Sequence, residues 1–84
     1  MKLTYFADPG HGWVKTPRKL LTKLGIADKI SPYSYSRGDY AFLEEDCDLS
    51  VLIKALEQRG IKLDLVGKTT NRQSKIRSYN TYIA

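Results

Sequence analysis

The single histidine of this chain, His11, is its most obvious candidate for acid–base chemistry. Histidine is the one side chain whose unperturbed pKa lies close to neutral pH. His11 lies in the segment Asp-Pro-Gly-His-Gly at residues 8–12, which contains no nucleophile, and there is no second histidine to share a metal ion. Proline presets φ and glycine permits positive φ, so the same residues are typical of a tight turn. The segment is therefore predicted to be a structural turn.

A second candidate is the cluster Glu44-Glu45-Asp46-Cys47-Asp48, which places four carboxylates around the only cysteine. Paired carboxylates can exchange protons or bind a hard cation. Here they precede a helical pattern, where negative charge is stabilised by the helix dipole. Capping by Asp46 or Asp48 is the favoured interpretation. We therefore predict a protein that is not an enzyme, with no catalytic residue, no metal ligand and no cofactor.

Basic side chains form the strongest candidate for a binding surface. The net charge is +5, and no acidic residue follows Asp64. Lysine and arginine can contact phosphate groups, and a neighbouring aromatic ring can add stacking. The alternative is an ordinary solvated surface. The residues predicted to bind a partner or nucleic acid are Lys68, Arg72, Lys75, Arg77, Tyr79, Arg18, Lys19 and Lys23.

Aromatic residues also concentrate on a predicted hairpin, at Tyr33, Tyr35, Tyr40 and Phe42. Beside basic residues, such rings can stack on unpaired bases. They can equally form one side of the core, and this is favoured because so small a domain needs its large apolar residues inside.

The elements that must position these residues follow from periodicity and turn signals. Residues 2–7 alternate as a strand, 13–15 return as a second strand, and Thr16-Pro17 is typical of a helix start, with threonine as N-cap. The apolar residues of helix 17–24 share one face, and Gly25-Ile26 predicts its C-terminal cap.

The second half of the chain repeats this plan. Residues 33–36 and 40–44 predict a hairpin, and a helix with a single apolar stripe follows, from Asp46 or Asp48 to about Arg59. Gly60-Ile61 would end that helix, and 61–66 alternates as a further strand. Residues 68–75 predict a surface loop. A last short strand or turn, anchored by Ile76, Tyr79, Tyr82 and Ile83, is the alternative to a mobile basic segment over 68–84.

The fold class expected from these elements is α+β. We predict one domain over residues 1–84, built from two hairpin–helix units and a further strand, with both helices on one face of a mainly antiparallel sheet. The start of the chain lacks the apolar core of a signal peptide, and no run approaches the about 18 apolar residues of a membrane span. We therefore expect a cytoplasmic location without membrane contact.

Residues 12–45 carry a local resemblance to a known family. The stretch Gly-Trp-Val-Lys-Thr-Pro-Arg-Lys-Leu-Leu-Thr-Lys-Leu-Gly-Ile from Gly12 to Ile26 resembles the opening of AbrB/MazE-type transcription factors, and Tyr40-Ala-Phe-Leu-Glu lies where that family has its last strand. After the helix this chain has Ala27-Asp28-Lys29 where the family has Gly-Asp. The resemblance implies direct binding of nucleic acid.

The whole chain is similar to short accessory proteins encoded by bacteriophages and other mobile elements. Three segments carry this similarity, namely 6–13 (Phe-Ala-Asp-Pro-Gly-His-Gly-Trp), 43–48 (Leu-Glu-Glu-Asp-Cys-Asp) and 74–79 (Ser-Lys-Ile-Arg-Ser-Tyr). It implies a role in infection through docking on host machinery, such as a restriction or CRISPR complex.

Two functions follow from these observations. The first is a non-catalytic phage-type protein that docks on a host protein or nucleoprotein complex and inhibits or redirects it. The alternative is a nucleic-acid-binding transcriptional regulator. Docking is favoured, because the central acidic cluster would repel phosphate over part of the surface.

Overall fold

The computed structural model describes all residues, 1–84. The chain contains six strands and two helices. In order they are β1 (Lys2–Ala7), β2 (Gly12–Pro17), α1 (Arg18–Lys23), β3 (Tyr35–Arg37), β4 (Tyr40–Glu44), α2 (Leu49–Glu57), β5 (Asp64–Thr69) and β6 (Asn80–Thr81). Single turns of 3₁₀ helix lie at Ala27–Lys29 and Lys75–Ser78.

The strands form one six-stranded sheet in the order β5-β1-β2-β4-β3-β6. Only β1 and β5 run parallel, and the other four neighbouring pairs are antiparallel. The α+β class, the repeated hairpin–helix order and the mainly antiparallel sheet are thus as predicted from the sequence.

The buried side chains form two separate groups. The larger group combines Leu21 of α1 and Leu52 and Leu56 of α2 with Val14 of β2 and Leu43 of β4. The smaller group consists of Trp13, Phe42 and Ile76. Successive residues of a strand point to opposite faces, so Trp13 and Phe42 lie on the face opposite to Val14 and Leu43. We call the face of Trp13 and Phe42 the aromatic face.

The predicted start of the first helix is wrong. Thr16 is fully buried in β2, and its hydroxyl donates to the carbonyl of Val14 at 3.1 Å instead of capping a helix. Pairing with β4 continues to Pro17, and the Arg18 N–H donates to the carbonyl of Asp39 at 2.9 Å. Thr16 and Pro17, which were predicted to start the helix, therefore pair with β4 as part of β2. Helix α1 begins at the next residue, Arg18.

The prediction that an aspartate side chain caps the second helix is also wrong. Asp48 precedes α2, but its side chain makes no cap hydrogen bond. Its carboxylate instead accepts from the backbone N–H of Ser31 at 2.9 Å, from the Ser31 hydroxyl at 2.7 Å and from the Ser34 hydroxyl. Asp48 is buried, and a buried carboxylate needs hydrogen-bond donors. Ser31 and Ser34, in the loop that precedes β3, supply them.

Both predicted helix ends are confirmed. Gly25 and Gly60 have φ values of 72° and 70°, and the next residues, Ile26 and Ile61, donate to the carbonyls of Leu21 and Leu56 at 3.0 and 2.9 Å. These bonds define the glycine-based C-terminal cap.

Residues 61–69 differ from the prediction. The strand begins at Asp64, not at residue 61, because the register of parallel pairing with β1 joins Lys2 to Asp64 and Ala7 to Thr69. Lys68 and Thr69 therefore belong to β5, and only 70–74 remain of the predicted loop over 68–75. A last strand does form, at Asn80–Thr81.

No helix is both long enough and apolar enough to cross a membrane.

Candidate functional site

Three segments that are distant in sequence meet near Trp13 on the aromatic face. They are the turn between β1 and β2, the end of β4 with the residues after it, and the 3₁₀ turn at Lys75–Ser78. The fold therefore gathers them at one place.

An ion pair between Asp8 and Arg77 fixes this arrangement. The Arg77 Nε and Nη2 atoms donate to the two Asp8 carboxylate oxygens at 2.7 and 2.9 Å. The N–H groups of Gly10, His11 and Ser74 each donate to the same carboxylate at 2.9 Å. The Asp8 side chain is only 1% exposed, and these donors hold its pKa far below the usual range. The carboxylate raises the pKa of Arg77 in turn.

Neither Gly10 nor Gly12 has a positive φ, so the prediction of positive φ in this turn is wrong. Glycine fits these positions because other side chains lie close to its Cα atom. A Cβ on Gly10 would lie 2.7 Å from the Arg77 Nη2 atom, and one on Gly12 would lie 2.1 Å from the Tyr5 hydroxyl oxygen. The turn itself is confirmed, because the Asp8 N–H donates to the carbonyl of His11 at 2.9 Å.

Beside the ion pair, His11, Glu44 and Asp46 form a cluster that we call the notch. The His11 Nδ1 atom lies 3.2 Å from the Glu44 Oε1 atom, and one donor atom from each of the three residues falls within 4.8 Å of the others. His11 keeps 45% of its side chain exposed, whereas Glu44 keeps 8%. The notch opens into a cavity of about 370 Å³, lined further by Trp13, Tyr33, Tyr35, Cys47 and Arg77.

Trp13 forms a wall of this cavity and is 1% exposed. The Arg77 guanidinium lies over its ring at 5.4 Å from the centroid, and Tyr35 meets it edge-on at 6.3 Å. Its indole nitrogen is the one buried side-chain polar atom of the chain without a hydrogen-bond partner. An unpaired buried donor of this kind costs about 1–3 kcal/mol of stability.

The surroundings of Cys47 do not activate its thiol as a nucleophile. A hydrogen bond to Glu44 raises its pKa, and burial and the neighbouring carboxylates act in the same direction. A thiolate is the reactive form, so these surroundings disfavour reaction at this sulfur.

The rest of the aromatic face alternates rings and cations, and we call this part the strip. The Lys15 ammonium lies 4.2 Å from the centroid of the Tyr40 ring, and the Arg37 guanidinium lies 5.0 Å from that of Tyr79. The Tyr79 ring packs against Phe42 at 5.1 Å. The strip consists of Phe6, Lys15, Arg37, Tyr40, Phe42, Lys68, Lys75 and Tyr79.

Two grooves run along the strip. One of about 190 Å³ lies between Phe6, Phe42 and Tyr79, with Lys15 and Lys75 at its border. The other, of about 370 Å³, lies between Arg37, Tyr40 and Lys75, and Asp39 is the one acidic residue in its lining. Both grooves thus combine exposed cations with ring surface.

The structure brings together only some of the residues predicted to bind a partner. Lys68, Lys75 and Tyr79 lie on the strip, and Arg72 is exposed in the adjoining loop 70–74. Arg77 is engaged by Asp8.

The three predicted basic residues of α1 lie apart from the strip. Arg18 packs over Tyr82 at 5.1 Å and donates to the carbonyl of Ile83 at 2.7 Å. Lys19 and Lys23 are exposed. Lys15 and Arg37 were not among the predicted binding residues, although they alternate with Trp13 and Tyr35 along β2 and β3.

No family model, no curated protein and no solved structure matches this chain. Its function is therefore inferred from its own residues and their geometry.

Proposed function

We propose that this chain is a non-catalytic binding protein whose strip binds single-stranded nucleic acid, free or within a host nucleoprotein complex. We infer that both helices cover the face of Val14 and Leu43, because Leu21, Leu52 and Leu56 share their buried cluster. The aromatic face is then covered only by the segment around Ile76 and remains available to a ligand. The observation that carries the proposal is the alternation of rings and cations on this face.

The charge of the strip suits a phosphate backbone. Its cations come from four separate elements, since Lys15, Arg37 and Lys68 lie on β2, β3 and β5 and Lys75 begins the second 3₁₀ turn. Such a spread places positive charge along a path instead of at one point. A strand of nucleic acid can contact several of these cations in succession, which is the basis of affinity for single strands.

The rings of the strip suit unpaired bases. Tyr40 is 39% exposed, and Phe6 and Tyr79 are half-buried, so each presents part of its surface while its position is fixed by packing. A base stacked on such a ring contributes about 1–3 kcal/mol. Duplex DNA hides its base faces, so this arrangement favours single strands over duplexes.

The acidic cluster, whose charge favoured a protein partner, is only partly exposed in the fold. Glu44 and Asp48 are buried, where Glu44 contacts His11 and Asp48 accepts hydrogen bonds from Ser31 and Ser34. Only Glu45 and Asp46 remain exposed, and both lie outside the strip. Repulsion of phosphate is therefore confined to the neighbourhood of the notch.

The test is fluorescence anisotropy with labelled oligo-dT and oligo-U. We expect wild type to bind with micromolar or tighter affinity and with an affinity that falls steeply with salt. The slope should be about −0.7 per phosphate contact for single strands. The double variant Lys15→Glu, Lys75→Glu should abolish binding and flatten that slope.

The matched control is Lys19→Glu, Lys23→Glu, which makes the same change in net charge on α1. It should bind as wild type does, apart from a small general loss. Equal losses in the two double variants would show that net charge alone attracts the oligonucleotide, and the strip would not be its site.

Docking on a host protein is the second candidate, and a different feature favours it. Every residue of the edge strand β5 is exposed, including Leu65 at 40% and Val66 at 50%. An unprotected edge offers free backbone N–H and C=O groups to which a partner can add a strand. The resemblance to phage accessory proteins supports the same role.

This second candidate is tested by capture of host proteins from a nuclease-treated bacterial lysate. The Asp64 and Thr70 N–H groups donate to β1, so the N–H groups of the intervening odd-numbered residues face the free edge. Leu65→Pro removes one of these outward donors and should release the captured partner, whereas the strip variant should retain it. Capture that disappears with nuclease, or that survives Leu65→Pro, would argue against strand addition at this edge.

A further inference from the structure

We propose that the notch of His11, Glu44 and Asp46 binds a divalent transition-metal ion of the Zn²⁺ class. This site is distinct from the strip and does not depend on nucleic acid binding. It is built from the imidazole nitrogen of His11 and the carboxylates of Glu44 and Asp46, which lie more than thirty positions after His11 in the sequence. Three N/O ligands with a further open position are a common arrangement for zinc.

The spacing of the two best-defined donors fits one ion. The His11 Nδ1 and Glu44 Oε1 atoms lie 3.2 Å apart. Two donors at this separation, each about 2.0–2.1 Å from a shared ion, subtend an angle of about 100°, close to the tetrahedral value of about 109°. The Asp46 carboxylate lies within 4.8 Å of both donors and is exposed, so its side chain has room to turn toward the same ion.

The chemistry of the donors selects among metals. Imidazole suits zinc, cobalt, nickel and iron, whereas magnesium and calcium prefer oxygen atoms alone. The nearest permanent cation, Arg77, is compensated by Asp8 through two hydrogen bonds, so it does not cancel the negative charge of Glu44 and Asp46.

The notch is open enough for exchange. His11 is 45% exposed and the cavity of about 370 Å³ leads to solvent, so an ion and its remaining ligand can enter without unfolding. The Glu44 backbone is held by its N–H bond to the Ser34 hydroxyl at 2.9 Å and by strand pairing with Trp13, which fixes one ligand before the ion arrives.

The test uses the intact chain and Zn²⁺ or Co²⁺ alone. Isothermal titration should give one Zn²⁺ per chain, and Co²⁺ should develop the intense visible absorption of tetrahedral coordination. His11→Ala and Asp46→Asn each replace an exposed side chain, so both variants should fold. Each should weaken Zn²⁺ binding by more than about tenfold.

Glu45→Gln is the matched control, because it removes the same charge from the adjacent residue, which bonds to Tyr5 and not to the notch. It should leave affinity and cobalt spectrum unchanged. The proposal is overturned if His11→Ala binds Zn²⁺ as wild type does, if Glu45→Gln weakens binding as much as Asp46→Asn, or if Mg²⁺ competes with Zn²⁺ at equal concentration.

Discussion

The two faces of strands β2 and β4 differ in chemistry although they share one backbone. Val14 and Leu43 point into an aliphatic cluster with side chains of both helices. Their neighbours Trp13 and Phe42 point the other way, where only Ile76 completes a three-residue cluster. The aliphatic cluster excludes water over a large area and supplies most of the hydrophobic stabilisation. The aromatic face buries fewer side chains and retains cations, grooves and an unpaired donor. A ligand on this face would therefore disturb little of the hydrophobic core.

The largest effect on stability is expected from the aliphatic side. Leu52→Ala should lower the free energy of unfolding by about 2–5 kcal/mol, because a fully buried side chain leaves a cavity between helix and sheet. Urea unfolding followed by Trp13 fluorescence measures it. Leu65→Ala at the exposed edge is the control and should cost about 0.5 kcal/mol or less. Equal losses would contradict the division between the two faces.

A smaller loss is expected on the aromatic side. Ile76→Ala should cost about 2 kcal/mol, the lower end of the range for such changes, because the segment that carries Ile76 can settle onto Trp13 and Phe42. It should also expose residues 70–79 to limited proteolysis. Ile83→Ala, at a side chain 75% exposed, should change neither measurement. A loss as large as that of Leu52→Ala would make the aromatic face a second core.

The Asp8–Arg77 pair should give the aromatic face its own dependence on pH. The pKa of Asp8 is lower in the folded protein than in the unfolded chain, where it is about 3.9. The ionised carboxylate therefore stabilises the fold fully above that pH, and this stabilisation is lost as the pH falls below it. The melting temperature of wild type should therefore fall between about pH 4 and pH 2 more than that of Asp8→Asn. Asp28→Asn, at an exposed carboxylate, should keep the wild-type profile. An Asp8→Asn profile parallel to wild type would show that the pair is not coupled to folding.

The smallest effect on stability is expected from the cations of the strip. Lys75→Gln should change the free energy of unfolding by no more than about 0.5 kcal/mol, since Lys75 is exposed and makes no ion pair. The same variant should still lose affinity for oligo-dT. Urea unfolding and anisotropy on one preparation separate the two effects, and a large loss of stability would remove Lys75 as a reporter of binding.

Local sequence patterns predicted what local chemistry decides. Gly25 and Gly60 end their helices as expected, since the left-handed conformation and the following isoleucine are both encoded within a few residues. The first hairpin and the apolar stripe of α2 followed from alternation and from helical spacing. These features depend only on residues that lie close together in the sequence, so the sequence alone predicts them.

Contacts between distant segments explain what was missed. Thr16 was assigned to a cap and Asp48 to a helix terminus, yet pairing with Ala41 and hydrogen bonds to Ser31 and Ser34 decided their places. The notch escaped detection for the same reason, because His11 and Glu44 meet only when β2 pairs with β4. The Arg77 position was predicted as a free binding residue, and no local pattern joins it to Asp8.

The parallel pairing of β1 with β5 has a consequence for the order of folding. Lys2 pairs with Asp64, about sixty positions later, so this contact closes a long loop, whereas each hairpin closes over a few residues. Closing long loops costs more entropy and slows folding. We expect the hairpins to acquire amide protection first in pulsed hydrogen exchange, and β5 to be the last strand protected and the first to open. Until then the outer edge of β1 is bare, and a β5 strand from another copy can pair with it, so concentrated refolding should yield exchanged dimers.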